Sequence, residues 1–174
     1  MANITERYNT AVHARSLKVD PTTRMSDSDV LGAYGLAAKR EPLAVALERL
    51  FAGDGRAARE IVDHLAQAVF DYSFEVKVKI SRVAAADMAK ACLAWHRDGT
   101  CRPCGGHGYH MIPGAPMLSE KACQVCAGSG KVILEMQFPA KHEVLVRWMA
   151  AELARESGRA GPEAMRKLAE KMEF

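Results

Sequence analysis

Nothing in this sequence is long and apolar enough to cross a membrane, and its opening Met1-Ala2-Asn3-Ile4-Thr5-Glu6 lacks the apolar core of a signal peptide. The expectation is a cytoplasmic protein with no membrane partner. Aromatic residues are scarce, at 6% of the chain, and alanine, leucine, methionine and glutamate take their place, a usage that favours helices. Signatures of common chemistries are missing as well. No phosphate-binding glycine loop opens a helix after a strand, there is no H-E-x-x-H, and no serine or cysteine stands in a nucleophile motif. The chain is therefore expected to act by binding, as a non-enzyme without a small-molecule substrate. Charge of one sign is also lacking: the net of +3 is too small a surplus to establish a nucleic-acid partner alone. It is unevenly spread, with Lys77, Lys79, Arg82, Lys90, Arg97 and Arg102 set against Glu75, Asp87 and Asp98, which fits a basic surface or an ordinary solvated helix face.

What the chain does have is cysteine in a metal-ligand spacing. Cys101-Arg102-Pro103-Cys104 and Cys123-Gln124-Val125-Cys126 are two C-x2-C pairs separated by Gly105 to Ala122, and each continues into glycines, so both halves read C-x-x-C-x-G-x-G. Each C-x2-C turn presents two sulfurs, and two such turns make a tetrahedral four-sulfur set for one Zn2+. Disulfides and a redox dithiol are the alternatives, and reduced thiols holding zinc suit a cytosolic compartment better. A closed four-thiolate site has no open position for water or substrate, which makes the expected zinc structural. Glycines after each pair let backbone N–H groups turn toward sulfur in conformations a Cβ resists. Zn2+ with four thiolates carries a net −2 charge, so Arg102, Lys121 and Lys131 are candidate neutralising neighbours and phosphate contacts. Cys92 stands mid-helix outside the quartet and reads as a small buried thiol; His107, between the knuckle glycines, is placed to touch a phosphate or replace a ligand, and with four sulfurs available it is not expected to ligate.

An apolar fraction of 49% over 174 residues is enough for a real core. Residues 1–25 read as a flexible lead with a short helix from Thr5 to Ser16, ending in Asp20-Pro21-Thr22-Thr23. A helical region follows over 26–100. Ser26-Asp27-Ser28-Asp29 caps a helix through Val30, Leu31, Tyr34 and Ala38, and Pro42 opens another with Leu43, Leu47 and Leu50 on one stripe. Ile61, Leu65, Ala68, Val69 and Tyr72 predict a third helix. Phe74 to Ile80 alternates, which suits a short strand or a helix continuation, and Ala84 to Arg97 returns to helix. The zinc finger occupies 101–131, and Val132-Ile133-Leu134 reads as a short strand leaving it. The closing segment 139–174 reads as a helical pair packing with the helical region. Val144, Leu145, Trp148 and Ala151 form one stripe; after a turn at Gly158 to Gly161, Pro162 stands at the first position of a helix bearing Ala164, Met165, Leu168, Ala169 and Met172. Helix, glycine turn, helix is the outline of a helix-turn-helix, or of an ordinary antiparallel hairpin. Trp95 and Trp148 fall on apolar positions and are expected to pack. The fold class expected is thus mainly α: a helical domain with an inserted two-knuckle, four-cysteine zinc finger and a C-terminal helix-turn-helix-like pair.

Three stretches resemble the late-gene antitermination protein Q family of lambda-type bacteriophages. They are Ser26 to Ala37, Ala91 through Gly108 continuing over Cys123 to Gly130, and, more loosely, Pro139 to Met172. The inter-knuckle loop and the segment before the zinc finger are shorter than in that family. The C-x-x-C-x-G-x-G signature also occurs in the cysteine-rich domain of DnaJ-type chaperones, which uses four copies and two zinc ions where this chain has two copies; a protein-binding module of that kind is the alternative. The resemblance to Q implies a protein of the bacterial host cytoplasm that binds double-stranded DNA at a late promoter. It implies engagement of host RNA polymerase holoenzyme, paused with sigma factor, and read-through of downstream terminators. Carried onto this chain, the family's DNA-binding parts make Arg102, Lys121, Lys141, Arg147, Arg159, Arg166 and Lys167 the candidate contacts.

Overall fold

Seven α-helices and one small hairpin make up the described part of the computed structural model, which covers residues 3–15, 17, 26–112 and 114–172. The Asp20 to Thr23 stretch, Ser16, Pro113 and the side chain of Met172 lie outside the described residues. In chain order the elements are α1 (Ile4–His13), α2 (Asp27–Ala37), α3 (Pro42–Phe51), α4 (Ala57–Glu75), α5 (Arg82–Arg97), β1 (Tyr109–Met111), β2 (Leu118–Ala122), α6 (Glu143–Glu156) and α7 (Ala160–Met172). Tight 3-10 turns stand at Arg102–Cys104, Leu134–Gln137 and Ala140–His142. The fold is mostly helical, as the composition leads one to expect.

The chain divides into two compact units, Met1–His64 with Ala154–Phe174, and Leu65–Leu153, so the divisions fall inside α4 and α6. The first unit is built on short side chains. Tyr8, Val30, Ala33, Tyr34, Ala37, Ala44, Val45, Ala160, Ala164 and Leu168 share one core, and the Tyr8 and Tyr34 rings stack with centroids 4.0 Å apart. The lead is therefore a packed helix over 4–13, started by an Asn3 capping box with Glu6. Ser26 caps α2 in the same way with Asp29, and Pro42 occupies the first turn of α3, whose Leu43, Leu47 and Leu50 are buried as their spacing requires.

Helix α7 lies on α2 through Ala160, Ala164 and Leu168, a narrower stripe than the sequence suggests, and Met165 is left 47% exposed. It begins two residues before Pro162. A proline is tolerated there because the N–H groups of a first turn have no intrahelical acceptor.

In the second unit, Leu65, Val69, Met88, Cys92, Leu93, Leu145, Val146, Met149 and Leu153 are buried. The inner stripe of α6 is thus Leu145, Val146, Met149 and Leu153, with Val144 at 42% exposure turned outward. Trp148 is only half-buried and stacks on Tyr72 at 4.6 Å, while the buried stripe runs beside it.

The alternating run from Phe74 is a helix end. Lys77 adopts φ +56° after α4, the Val78 N–H donates to the Ser73 carbonyl at 2.9 Å, and the Lys77 N–H donates to that of Phe74 at 3.3 Å. This is the Schellman termination that glycine usually makes. Period alone cannot see it, because the side chains that alternate in sequence are wrapped around a left-handed cap. Lys77→Gly is expected to stabilise the protein by about 1 kcal/mol, the usual cost of a Cβ in that region; a urea midpoint no higher than that of the parent would show the cap to be unstrained.

Candidate metal centre

The two knuckles fold as near copies of each other. The first is a 3-10 turn over Arg102–Cys104, with Pro103 fixing its φ, and it returns through Gly106 N–H to the Cys101 carbonyl at 3.0 Å. The His107 N–H to Cys104 carbonyl bond of the first, at 3.1 Å, recurs in the second as Ser129 N–H to the Cys126 carbonyl at 2.9 Å, reinforced by the Ser129 hydroxyl at 2.7 Å. Two reciprocal bonds then join them. The Cys101 N–H donates to the Gly130 carbonyl at 2.9 Å, and the Cys123 N–H donates to the Gly108 carbonyl at 2.7 Å. Each knuckle's first cysteine is held by the last glycine of the other, which is why the signature repeats as a whole.

This exchange brings Cys101, Cys104, Cys123 and Cys126 into one buried group whose sulfurs all lie within 4.8 Å of one another. None is in a disulfide. Cys101 Sγ lies 3.9 Å from Cys123 Sγ, and Cys104 Sγ lies 3.7 Å from Cys126 Sγ. A tetrahedron with metal–sulfur bonds near 2.3 Å has an edge of about 3.8 Å, so the cage has the dimensions of a four-thiolate metal site. Burial pushes the Cys101 thiol up to about 12. At Cys126 burial acts the same way, but the N–H of Gly130, the side chain of Cys104 and the N–H of Gly128 outweigh it and bring the thiol to about 7. The Gly128 and Gly130 amides therefore turn toward the Cys126 sulfur, as the sequence leads one to expect of knuckle glycines, and make its thiolate easier to form than that of an ordinary cysteine.

The centre is also fastened where the chain enters and leaves. Val132 N–H donates to the Gly99 carbonyl at 2.8 Å, Thr100 bridges Lys131, and the indole N–H of Trp95 on α5 donates to the Val132 carbonyl at 2.8 Å. In place of the strand expected at Val132 to Leu134 there is this single bridge, after which Leu134 is buried and the chain turns. Trp95 is readable from the sequence as a packing residue but not as the anchor of the centre. Between the knuckles, β1 and β2 pair antiparallel with Tyr109 opposite Ala122 and Met111 opposite Leu118, and a bulge lies between. The hairpin is signalled only by Gly114 and the two prolines between two short alternating runs. His107 is exposed and outside the sulfur cage, and Cys92, buried on α5, has its thiol pushed up to about 12 by burial and then by Glu135, as befits an inert core thiol.

The cations proposed from the sequence fall into two groups. Arg102, Lys121 and Lys141 are exposed, and so is Lys131; among the described residues none of these four makes an ion pair, although Arg102 acts on Asp98 through space. The other four are already engaged. Arg147 pairs with Glu143 at 2.6 Å and Glu135 at 3.4 Å, and Arg159 with Glu156 at 2.6 Å and Glu41 at 3.0 Å. Arg166 pairs with both Glu163 and Glu170, and Lys167 with Glu170 at 2.8 Å. A phosphate contact by Arg166 has to displace two carboxylates; one by Lys121 displaces only water. No helix among the described residues is long and apolar enough to cross a membrane. Compared with known proteins, the chain matches no family model, no curated protein and no solved structure.

Proposed function

We propose that this chain is a zinc-dependent DNA-binding protein that acts in transcription antitermination. In this reading one structural Zn2+ sits in the Cys101, Cys104, Cys123 and Cys126 cage, and the protein recognises double-stranded DNA at a promoter and engages RNA polymerase to read through terminators. The observation that carries the DNA part is the cation distribution. From Arg97 to Lys131 the cations are Arg97, Arg102, Lys121 and Lys131 against the carboxylates Asp98 and Glu120, and Lys121 and Lys131 make no ion pair among the described residues. Cations left unneutralised around a rigid, metal-closed segment position phosphates at little cost. The antitermination part rests on the resemblance of three stretches to the Q family, including the α6, turn, α7 segment as a helix-turn-helix.

Retention of fragmented DNA from the encoding genome at physiological salt, followed by sequencing, tests the first part. One enriched site at a promoter supports it, and the same template then serves a terminator read-through assay with purified bacterial RNA polymerase. No enrichment, with or without polymerase, counts against it. On that site, Arg102→Ala with Lys121→Ala is expected to weaken binding about tenfold and to reduce the salt slope by about two. Arg166→Ala, whose guanidinium is already paired, is expected to change affinity by less than about threefold. The reverse ranking would move the DNA surface to α7.

A further inference from the structure

We infer, resting on the DNA-binding reading above, that the β1–β2 hairpin is a wedge that enters a groove of duplex DNA and unstacks a base step there. From Met111 to Ser119 the sequence has no charged residue. Met111 and Met117 are 62% and 64% exposed, and Ile112 and Leu118 are 41% and 44% exposed, although all four are large and apolar. Met111 and Leu118 are cross-strand partners, so they share one face of the ribbon, and the Ile112 N–H donates to the Met117 carbonyl at 2.9 Å, closing the tip. The tip is therefore a shaped apolar end on a ribbon whose root, at Cys123, is fixed by the 2.7 Å bond to Gly108 and by the sulfur cage.

Charge is arranged around that end in a particular way. Lys121 lies on β2 toward the root, Arg102 lies in the first knuckle and Lys131 directly follows the second, all three exposed; Glu120 beside Lys121 is an exposed carboxylate, and the tip carries no charge. A two-stranded ribbon is of a size to enter a DNA groove, and Met, Leu and Ile side chains are the wedges that proteins insert between base steps while cations hold the flanking phosphates. A protein partner fits less well. A standard protein interface engages roughly 20–30 residues a side, whereas this tip offers four exposed apolar side chains, and the exposed Arg102, Lys121 and Lys131 suit the phosphates of a duplex. A two-stranded ribbon with an uncovered apolar face is poorly stable alone, so the metal-bound root is what allows the tip to be presented to a partner at all.

The test uses the full metal-loaded chain and a mixed-sequence duplex of about 30 base pairs containing TA and CA steps, which kink most easily. End-attached dyes report bending and 2-aminopurine at a TA step reports unstacking. The parent chain is expected to bring the ends together, by a bend within about 20–90°, and to brighten the 2-aminopurine. Met111→Ala with Met117→Ala should keep metal content, helicity and salt slope, lose both signals, and bind about tenfold more weakly. Arg102→Ala with Lys121→Ala should instead lower the salt slope. A parent chain that binds without bending or brightening, or a methionine variant that bends as the parent does, overturns the wedge and leaves DNA binding standing. A methionine variant with unchanged bending that no longer associates with RNA polymerase also overturns it and gives the tip to a protein. Failure of every form to bind both this duplex and genomic DNA fragments, with or without polymerase, overturns the DNA reading itself, and the wedge with it.

Discussion

Replacing Cys104 or Cys126 by serine is expected to strip the chain of metal and to unfold 101–131, while most of the helical circular dichroism remains. A serine hydroxyl does not ionise near neutral pH, so the variant offers three thiolates and a buried hydroxyl where the parent offers four sulfurs within 4.8 Å. Structural zinc contributes about 10–16 kcal/mol to small fingers, and losing one ligand in four removes about 3–4 kcal/mol, or two to three orders of magnitude in affinity. The cage does more than bind an ion. Among the described residues the hairpin strands are exposed but for the half-buried Ser119, and the knuckles have no apolar core beyond the sulfurs themselves. Without metal, four buried thiols are too little to hold them. By contrast α1, α2, α3 and α7 are packed on their own alanines, leucines and tyrosines and need no thiol. The measurements are metal content after dialysis against a chelator, far-ultraviolet circular dichroism, and duplex binding by the same samples. Variants that retain one metal ion per chain and bind DNA as the parent does would remove the cage from both roles.

How much of this is legible in the sequence depends on whether the determining interaction is local. The C-x2-C spacing is local, and it picks out the four cysteines that the fold brings within 4.8 Å of one another. So are the cap at Ser26, the helix start at Pro42 and the stripe Leu43, Leu47 and Leu50, all of which the structure uses as written. The inner face of α6 is less legible. Trp148 draws the eye to the stripe that includes Val144, yet its ring is satisfied by stacking on Tyr72, and Val146 and Met149 go inside. At Lys77 a residue that is not glycine makes a glycine-like cap, so the alternating pattern misleads. The state of the cations is the most instructive case. Sequence lists Arg166 and Lys121 as equals; only the fold shows that the first is neutralised within its own helix by residues three before and four after it, and that the second stands alone among the described residues. The glycines are legible in kind but not in partner. Their turning of N–H groups toward sulfur follows from the motif, whereas the contact each makes across to the opposite knuckle is a long-range fact.

That contact leads to the second large effect. Gly108→Ala or Gly130→Ala is expected to destabilise the metal centre by about 3 kcal/mol or more, and to lower resistance to chelators accordingly. A Cβ on Gly108 would stand 2.2 Å from the Gly128 carbonyl oxygen, and one on Gly130 would stand 2.2 Å from that of Gly106. Both obstacles are backbone atoms that cannot rotate away, and both lie beside the reciprocal bonds from Cys123 to Gly108 and from Cys101 to Gly130. Relieving either clash means parting the knuckles, which spreads the sulfurs beyond the edge of about 3.8 Å that a tetrahedral site needs. Backbone strain alone is not the cause. Gly114 also has positive φ, at +82°, but a Cβ there would meet nothing within 4 Å. Gly114→Ala is thus the matched control, expected to cost only about 1 kcal/mol through its conformation. Ala127 makes the same point from the other side, since it holds φ +49° in the second knuckle with a Cβ already present. If the rate of metal transfer to a chelator is the same for Gly108→Ala, Gly130→Ala and Gly114→Ala, the knuckles are not held by this crossing, and the repeat of the signature needs another explanation. If the first two release metal much faster, the glycines that follow each cysteine pair serve the opposite pair, and the C-x-x-C-x-G-x-G repeat is one interlocked structure.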